Sequence, residues 1–413
     1  MRMIFSRGSR VRRLVMAPER GATAVLTVIL LVPVLFGAAA LSVDVGSLMW
    51  ERRQLQNGAD SASMTAAQTC AEKPSLCPPS ITSGAVATMA NSNANDNAAT
   101  VTSICGNSVA RATSPSLSLC STPATPGITD CAPVPSGAST LPYIEVRTLT
   151  KTTTGASSIT NRFARMITQT NAQTGVRACA RAGWGGVNPA SLNVLPITVS
   201  FCDWKAATGY TGTPGSTTYP PAPDYSINSY GYGGTNPWQT SWQRTIYTKG
   251  SPSTCSTWNG HVAPGGFSQL DTNTVCSVST TNGAWYHGQP GNSTPCPSTS
   301  FAGLLGTVIY LPVFDCMTAA PTTITAATDC NSGSGSNLYY HVSGYAAFYL
   351  TGWYFSSTPQ SSIVGGGLPC TGGDRCIEGW FLKDLISASD MASLINPTPG
   401  APNYGLTSVA QLG

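Results

Sequence analysis

Three histidines, His261, His287 and His341, carry all the imidazole chemistry in the 413 residues. None stands in an H-E-x-x-H or comparable metal spacing, so zinc-assisted hydrolysis has no signature here. Asp203, Asp315 and Asp329 each adjoin a cysteine. Two such acids brought together could serve a hydrolase, but turn formation and loop capping is the plainer reading. The G-x-S-x-G nucleophile elbow is absent, as are both glycine-rich phosphate cradles. Gly365-Gly366-Gly367 reads as a flexible loop. No catalytic residue, metal or cofactor is therefore expected, and the chain reads as a non-enzyme.

Fourteen cysteines, an even number, include no C-x-x-C pair. That pattern argues against zinc ribbons and thioredoxin-type sites and for disulfides in an oxidising compartment. Cys70 with Cys77 and Cys370 with Cys376 are spaced for local loops; the remaining connectivity is open. The stretch 219–242 concentrates Tyr225, Tyr230, Tyr232, Trp238 and Trp242. These rings could form a platform for a sugar or a partner. The favoured reading is that they pack a loop-rich region short of aliphatic residues.

The element that must position all this lies near the start. Gly21 to Val43 is a run of 23 residues without a charge, and as a helix it spans about 34 Å, enough for a bilayer core. A seven-residue rhythm continues beyond it. Leu41, Leu48, Leu55 and Ala62 form one line; Val45, Arg52, Ala59 and Ala66 form the other. The spacing predicts one long helix, half in lipid and half standing out of it. Its small residues Ala59, Ala62 and Ala66 permit close approach of another helix or of the chain's own head, and periodicity does not choose between them. For residues 21–50, a retained anchor competes with a signal peptide cleaved after Ala38-Ala39-Ala40 and with a buried soluble helix; span length favours the anchor.

Charge places the remainder. Only 9% of residues are charged, far below the roughly one quarter of ordinary soluble proteins. Residues 1–53 hold eight Arg against three acids, a net of +5, and residues 54–413 hold thirteen Lys or Arg against fourteen acids, a net of −1. The large portion thus has no electrostatic case for nucleic acid. Arginines ahead of the apolar run predict a cytoplasmic amino terminus and a bulk outside the membrane. A start at Met16 would remove five of them.

Three pieces of this region, RGATAV (20–25), Pro33 followed by VDVG (43–46), and RRQLQNGADSASMTAA (52–67), resemble the amino-terminal segment of TadE/TadG-like proteins of Flp (tight-adherence) pilus assembly. Weaker support comes from LPITVSFCDW (195–204), YLPVFDC (310–316) and YHVSGYAAFYLTGWYF (340–355), pieces similar to actinobacterial versions. The fifth position after Gly21 is Leu26, where pilin-like precursors carry Glu, so the resemblance is to the unprocessed TadG type. The D-x-S-x-S metal motif of some TadG-like proteins is absent. The resemblance implies a membrane-anchored assembly component whose partners are the membrane and other pilus-assembly proteins or pilin-like helices. A secreted or surface-anchored glycan- or host-binding protein is the alternative.

Along the remaining chain, 68–140 reads as disulfide-stapled loops, with Pro74 stopping the helix. YIEVRTLT (143–150), VRACARAGWG (176–185), LNVLPITVSF (192–201) and WQTSWQRTIYTK (238–249) read as strands, and NRFARMITQT (161–170) as a short helix. The apolar stretches 303–315 and 340–355 suit buried strands, with 379–387 and 404–413 closing the sheet. The expected fold is α+β: a long amino-terminal helix and a β-rich, disulfide-containing extracytoplasmic head. The expected division is a basic tail (1–20), the helix and its extension (21–69), and the head (70–413), with a weaker break near 205.

Overall fold

The computed structural model describes residues 20–121, 131–135, 138–160, 173–187, 192–212, 216–233, 237–249, 269–271, 276–289, 296–319, 321, 330, 338–355, 359–386 and 402–412. It opens with α1 (Arg20–Glu72), 53 residues and therefore about 80 Å long. Pro33 lies inside it, and Pro74 stands just beyond its end, where proline cannot continue a helix.

Short elements follow: α2 (Ala85–Ser92), β1 (Ala99–Gly106), α3 (Ser108–Thr113), β2 (Ser118–Leu119) and β3 (Tyr143–Thr150). After the two-residue strands β4 (Ile159–Thr160) and β5 (Gln173–Thr174) come β6 (Arg177–Gly186), β7 (Leu192–Val194), β8 (Val199–Ser200) and α4 (Phe201–Thr208). The second half holds α5 (Pro237–Trp242), β9 (Arg244–Lys249), β10 (Val278–Thr280), β11 (Ala284–His287), α6 (Ser298–Ala302) and β12 (Val308–Thr318). It ends with β13 (Tyr339–Phe355), β14 (Arg375–Leu382), β15 (Asp384–Ile386) and β16 (Leu406–Gln411).

Two six-stranded sheets organise these elements. The first runs β15-β16-β6-β3-β1-β2, and the second runs β8-β12-β13-β14-β9, with β11 also paired to β13. The chain builds β1, β2, β3 and β6 of the first sheet and returns to it with β15 and β16 only after building the second. Lys383 alone separates β14 of one sheet from β15 of the other.

α1 covers one face of the first sheet because its buried positions recur at helical spacing. Leu55, Gly58, Ala59, Ala62, Ser63, Ala66, Ala67 and Cys70 are all buried, in steps of three and one. Beneath them lie Ile144, Val146, Ala178, Ala180, Ala182 and Trp184. Alanines on both surfaces bring helix and sheet close. The opposite face carries Glu145, held by Arg147 (2.7 Å) and Arg181 (2.9 Å). The segment 131–135 is fastened there by the Cys131–Cys179 disulfide and by Arg181, which donates to the Ala132 carbonyl. Buried charges of this kind persist only when paired.

The second sheet is buried on both sides. Trp204, Phe301, Phe348, Trp353 and Phe381 fill one face, and Phe314, Tyr345, Tyr349 and Trp380 fill the other. Disulfides join Cys70–Cys77, Cys105–Cys120, Cys131–Cys179, Cys276–Cys296, Cys316–Cys330 and Cys370–Cys376, and Cys202 is bonded as well. The molecule is thus α+β, with a long helix ahead of a β-rich, disulfide-braced body.

Several sequence expectations change in detail. The region 68–140 contains regular elements, α2, β1 and α3, between its disulfides. The stretch 192–201 is interrupted at Pro196 and passes into α4 at Phe201, because Ser200 caps that helix: its Oγ accepts from the Asp203 amide. Residue 205, the weaker break, lies inside α4. The stretch 238–249 is a helix as far as Trp242, and β9 starts only at Arg244. NRFARMITQT (161–170) falls outside the described residues.

Candidate interaction surfaces of the long helix and its head

α1 changes character along its length. From Val25 to Trp50 nearly every large apolar side chain faces outward: Leu30 is 70% exposed, Phe36 71% and Trp50 62%. An aqueous protein does not display such a continuous apolar surface unless something covers it. This is the one described helix long and apolar enough to cross a membrane.

The seam residues divide accordingly. Leu41 and Val45 are exposed and Leu48 is half-buried, while Leu55, Ala59, Ala62 and Ala66 lie against the chain's own sheet. The heptad lines therefore lead from a free surface onto an occupied one.

Polar side chains fasten the docked half. Gln56 Nε2 donates to the Cys179 carbonyl on β6 (3.0 Å) and to Asp60 Oδ1 (2.9 Å). From β16, Gln411 Nε2 donates to the same Asp60 oxygen (3.0 Å) and lies 3.4 Å from Ser63 Oγ. Burial pushes the Asp60 carboxyl pKa up, and the Gln56 hydrogen bond pulls the other way. On the flank facing α2, Gln54 Oε1 accepts from the Asn95 amide and Asn93 Nδ2 donates to Ser61 Oγ. Gly58 lets α2 approach, since a Cβ there would lie 3.0 Å from the Ala90 carbonyl oxygen. Almost every residue of the run from Gln54 to Ala67 thus has a task at one helix–sheet–helix junction.

Residues 21–69 match the family model for TadE/G-like Flp pilus assembly. The match supports a role in pilus assembly, and it ends three residues before α1 does. The TadE/G-like segment is hence a single helix with two jobs: an outward apolar half and a half that serves as the first layer of the head. No curated protein and no solved structure matches the chain.

The other sequence candidates fall in separate places. Tyr232 is buried, its ring edge-on to Tyr349 and Trp380, and Trp242 packs edge-on to Trp380. Tyr225 and Tyr230 stand on the surface beside Ile227, and the Trp238 side chain lies outside the described residues. Asp203 accepts a hydrogen bond from Ser200 Oγ at 2.6 Å and completes the cap of α4. Asp315 Oδ1 is 2.5 Å from His341 Nδ1, a contact that holds the imidazole pKa above its ordinary value. Asp329 lies outside the described residues, and His287 is 3.8 Å from Asp271.

Sequence reasoning missed the Glu145 cluster and Glu378. Burial of Glu378 raises its carboxyl pKa to about 7, and its Oε2 has no hydrogen-bond partner among the described residues. Neither residue sits in a motif. Alternation marked β3 but does not reveal which faces are covered, and the stretch 379–387 expected to close the sheet begins one residue after Glu378.

Proposed function

We propose that this protein is a single-pass membrane component of Flp/Tad-type pilus assembly that works by contact and not by catalysis. The carrying observation is the division of α1: residues 24–50 present apolar side chains to the surroundings, while 55–70 are committed to the head. Support for the setting comes from the family match over residues 21–69. The basic tail (1–20) would face the cytoplasm and the head (70–413) the outside, following the arginine excess before the span. Leu41, Val45 and Leu48 would be the contact residues, at and just beyond the membrane boundary, for pilin-like or platform helices. Leu55, Ala59, Ala62 and Ala66 would set the angle at which the head is carried.

Photocrosslinkers placed at Leu41, Val45 and Ala62 in piliated cells test this. Adducts from the first two positions to other pilus-assembly proteins, and none from Ala62, are expected. Normal piliation without the gene, or a chain recovered free of membrane, would overturn the proposal.

A further inference from the structure

A cleft of about 660 Å³ opens beside the end of α1, within the size range of small-molecule sites. Its wall is aromatic. Trp204 and Tyr404 are buried and packed edge to face, with centroids 4.9 Å apart, and Trp204 Nε1 donates to the Tyr404 carbonyl (3.0 Å). Phe201, Tyr210 and Tyr219 also line the cleft and are only half-buried, so part of each remains open to solvent. Tyr219 is seated over Gly405, where a Cβ would lie 3.2 Å from its ring. These rings already satisfy one another, and their open surface is not needed to close the core.

The polar groups set the chemistry of what would fit. Lys383 Nζ enters from the junction of the two sheets and donates to the Ala71 carbonyl at 3.4 Å, one of the last carbonyls of α1. Among the described residues this is the one hydrogen bond of the ammonium group, which has three N–H donors. The negative end of the α1 dipole and the nearby Glu72 carboxylate oppose its charge. An anion would therefore meet the helix carboxyl end, and a cation would meet Lys383. Hydroxyl and amide groups of Ser75, Thr113, Thr217 and Asn403 complete the rim. Aromatic surface, spare N–H donors and balanced charge together describe a receptor for a polyhydroxylated, uncharged ligand whose C–H faces lie on rings.

We infer that this cleft binds a neutral saccharide of one or two sugar units. Of the aromatic stretch 219–242 the cleft takes only Tyr219; Tyr225, Tyr230, Tyr232 and Trp242 do not line it, and the site stands independently of the pilus-assembly reading. It lies where α1, α4, β6 of the first sheet and the Lys383 junction between the two sheets meet.

The test uses the full chain in a detergent without a sugar headgroup. Maltose, cellobiose and di-N-acetylchitobiose are compared with glucuronate and choline by saturation-transfer NMR and titration. At least one neutral disaccharide should bind, with affinity falling about tenfold or more in Tyr210→Ala and Tyr219→Ala. Ser75→Trp fills the cleft from its exposed rim without removing a packed ring, and it should abolish binding while leaving the melting temperature unchanged. Absence of binding by all three disaccharides, preference for glucuronate or choline, or full affinity in Ser75→Trp would each overturn the inference.

Discussion

Thr148 Oγ1 on β3 donates to the Leu55 carbonyl of α1 at 3.1 Å, and both residues are buried. This bond joins a central strand to the helix at its first fully buried apolar position. The Leu55 carbonyl is internal to the helix and also has a ladder partner, so the threonine supplies a second donor instead of rescuing an orphan. Thr148→Val should lower unfolding free energy by about 0.5–1.5 kcal/mol, as read by denaturant titration. A larger loss would mean that the bond orders α1 and does not merely add to it.

Close approach of α1 to the sheet makes its small residues intolerant of growth. Ala62→Leu should destabilise the head by about 1–3 kcal/mol through overpacking, and Gly58→Val should do the same by pressing on the Ala90 carbonyl. Leu41→Ala, at an exposed position, should leave head stability unchanged. Thermal melts of the three variants compare them directly, and equal melts for Ala62→Leu and wild type would refute the docked arrangement.

Glu145 bridges Arg147 and Arg181 on the face of the first sheet away from α1. Glu145→Ala would leave the Arg181 guanidinium buried without its counter-charge, and a loss of about 3–5 kcal/mol is expected. Restoring much of that loss by a second change, Arg181→Met, would show that the unpaired cation was the cause. Double-mutant analysis of unfolding supplies the measurement.

His341 and Glu378 are among the groups that tie stability to pH. The His341 pKa is raised by Asp315, so its stabilising effect is complete below 6.5 and fades as pH rises through the folded-state value. Glu378 titrates near 7 in the folded protein against 4.5 in the unfolded chain. Its contribution also declines as pH rises between those values, because the folded state holds the proton longer. His341→Asn should flatten the upper part of the stability profile. Glu378→Gln should gain on wild type from pH 4.5 to about 7, by on the order of 1 kcal/mol after allowance for solvent screening. Parallel profiles for wild type and Glu378→Gln would contradict the assignment.

The long helix was readable in the sequence because two signals coincide in it. An uncharged run fixed its first half, and the spacing of Leu55, Ala59, Ala62 and Ala66 fixed the buried face of its second. What occupies that face was not readable, since an alanine stripe accepts a sheet as readily as a helix. Strands β3, β6, β12, β13 and β14 announced themselves by alternation or apolar runs, and Cys70–Cys77 and Cys370–Cys376 by proximity. α4 went unrecognised although Ser200 and Asp203 form a cap spacing, because the preceding β-branched residues extend a strand pattern into it. α5 was hidden by alternation between Trp238 and Trp242. The cleft draws its wall from α1, α4 and residues 402–405, and no local pattern connects pieces so far apart.

α1 lies along the sheet for some sixteen residues and is attached at many points side by side, from Leu55 to Cys70. A pull on its exposed apolar end, directed along the axis, is resisted in shear by all those attachments together. A pull across the axis would peel them one at a time, beginning near Leu48. The head should consequently be mechanically strong toward axial tension and weak toward sideways leverage, a directional property suited to a tether under load.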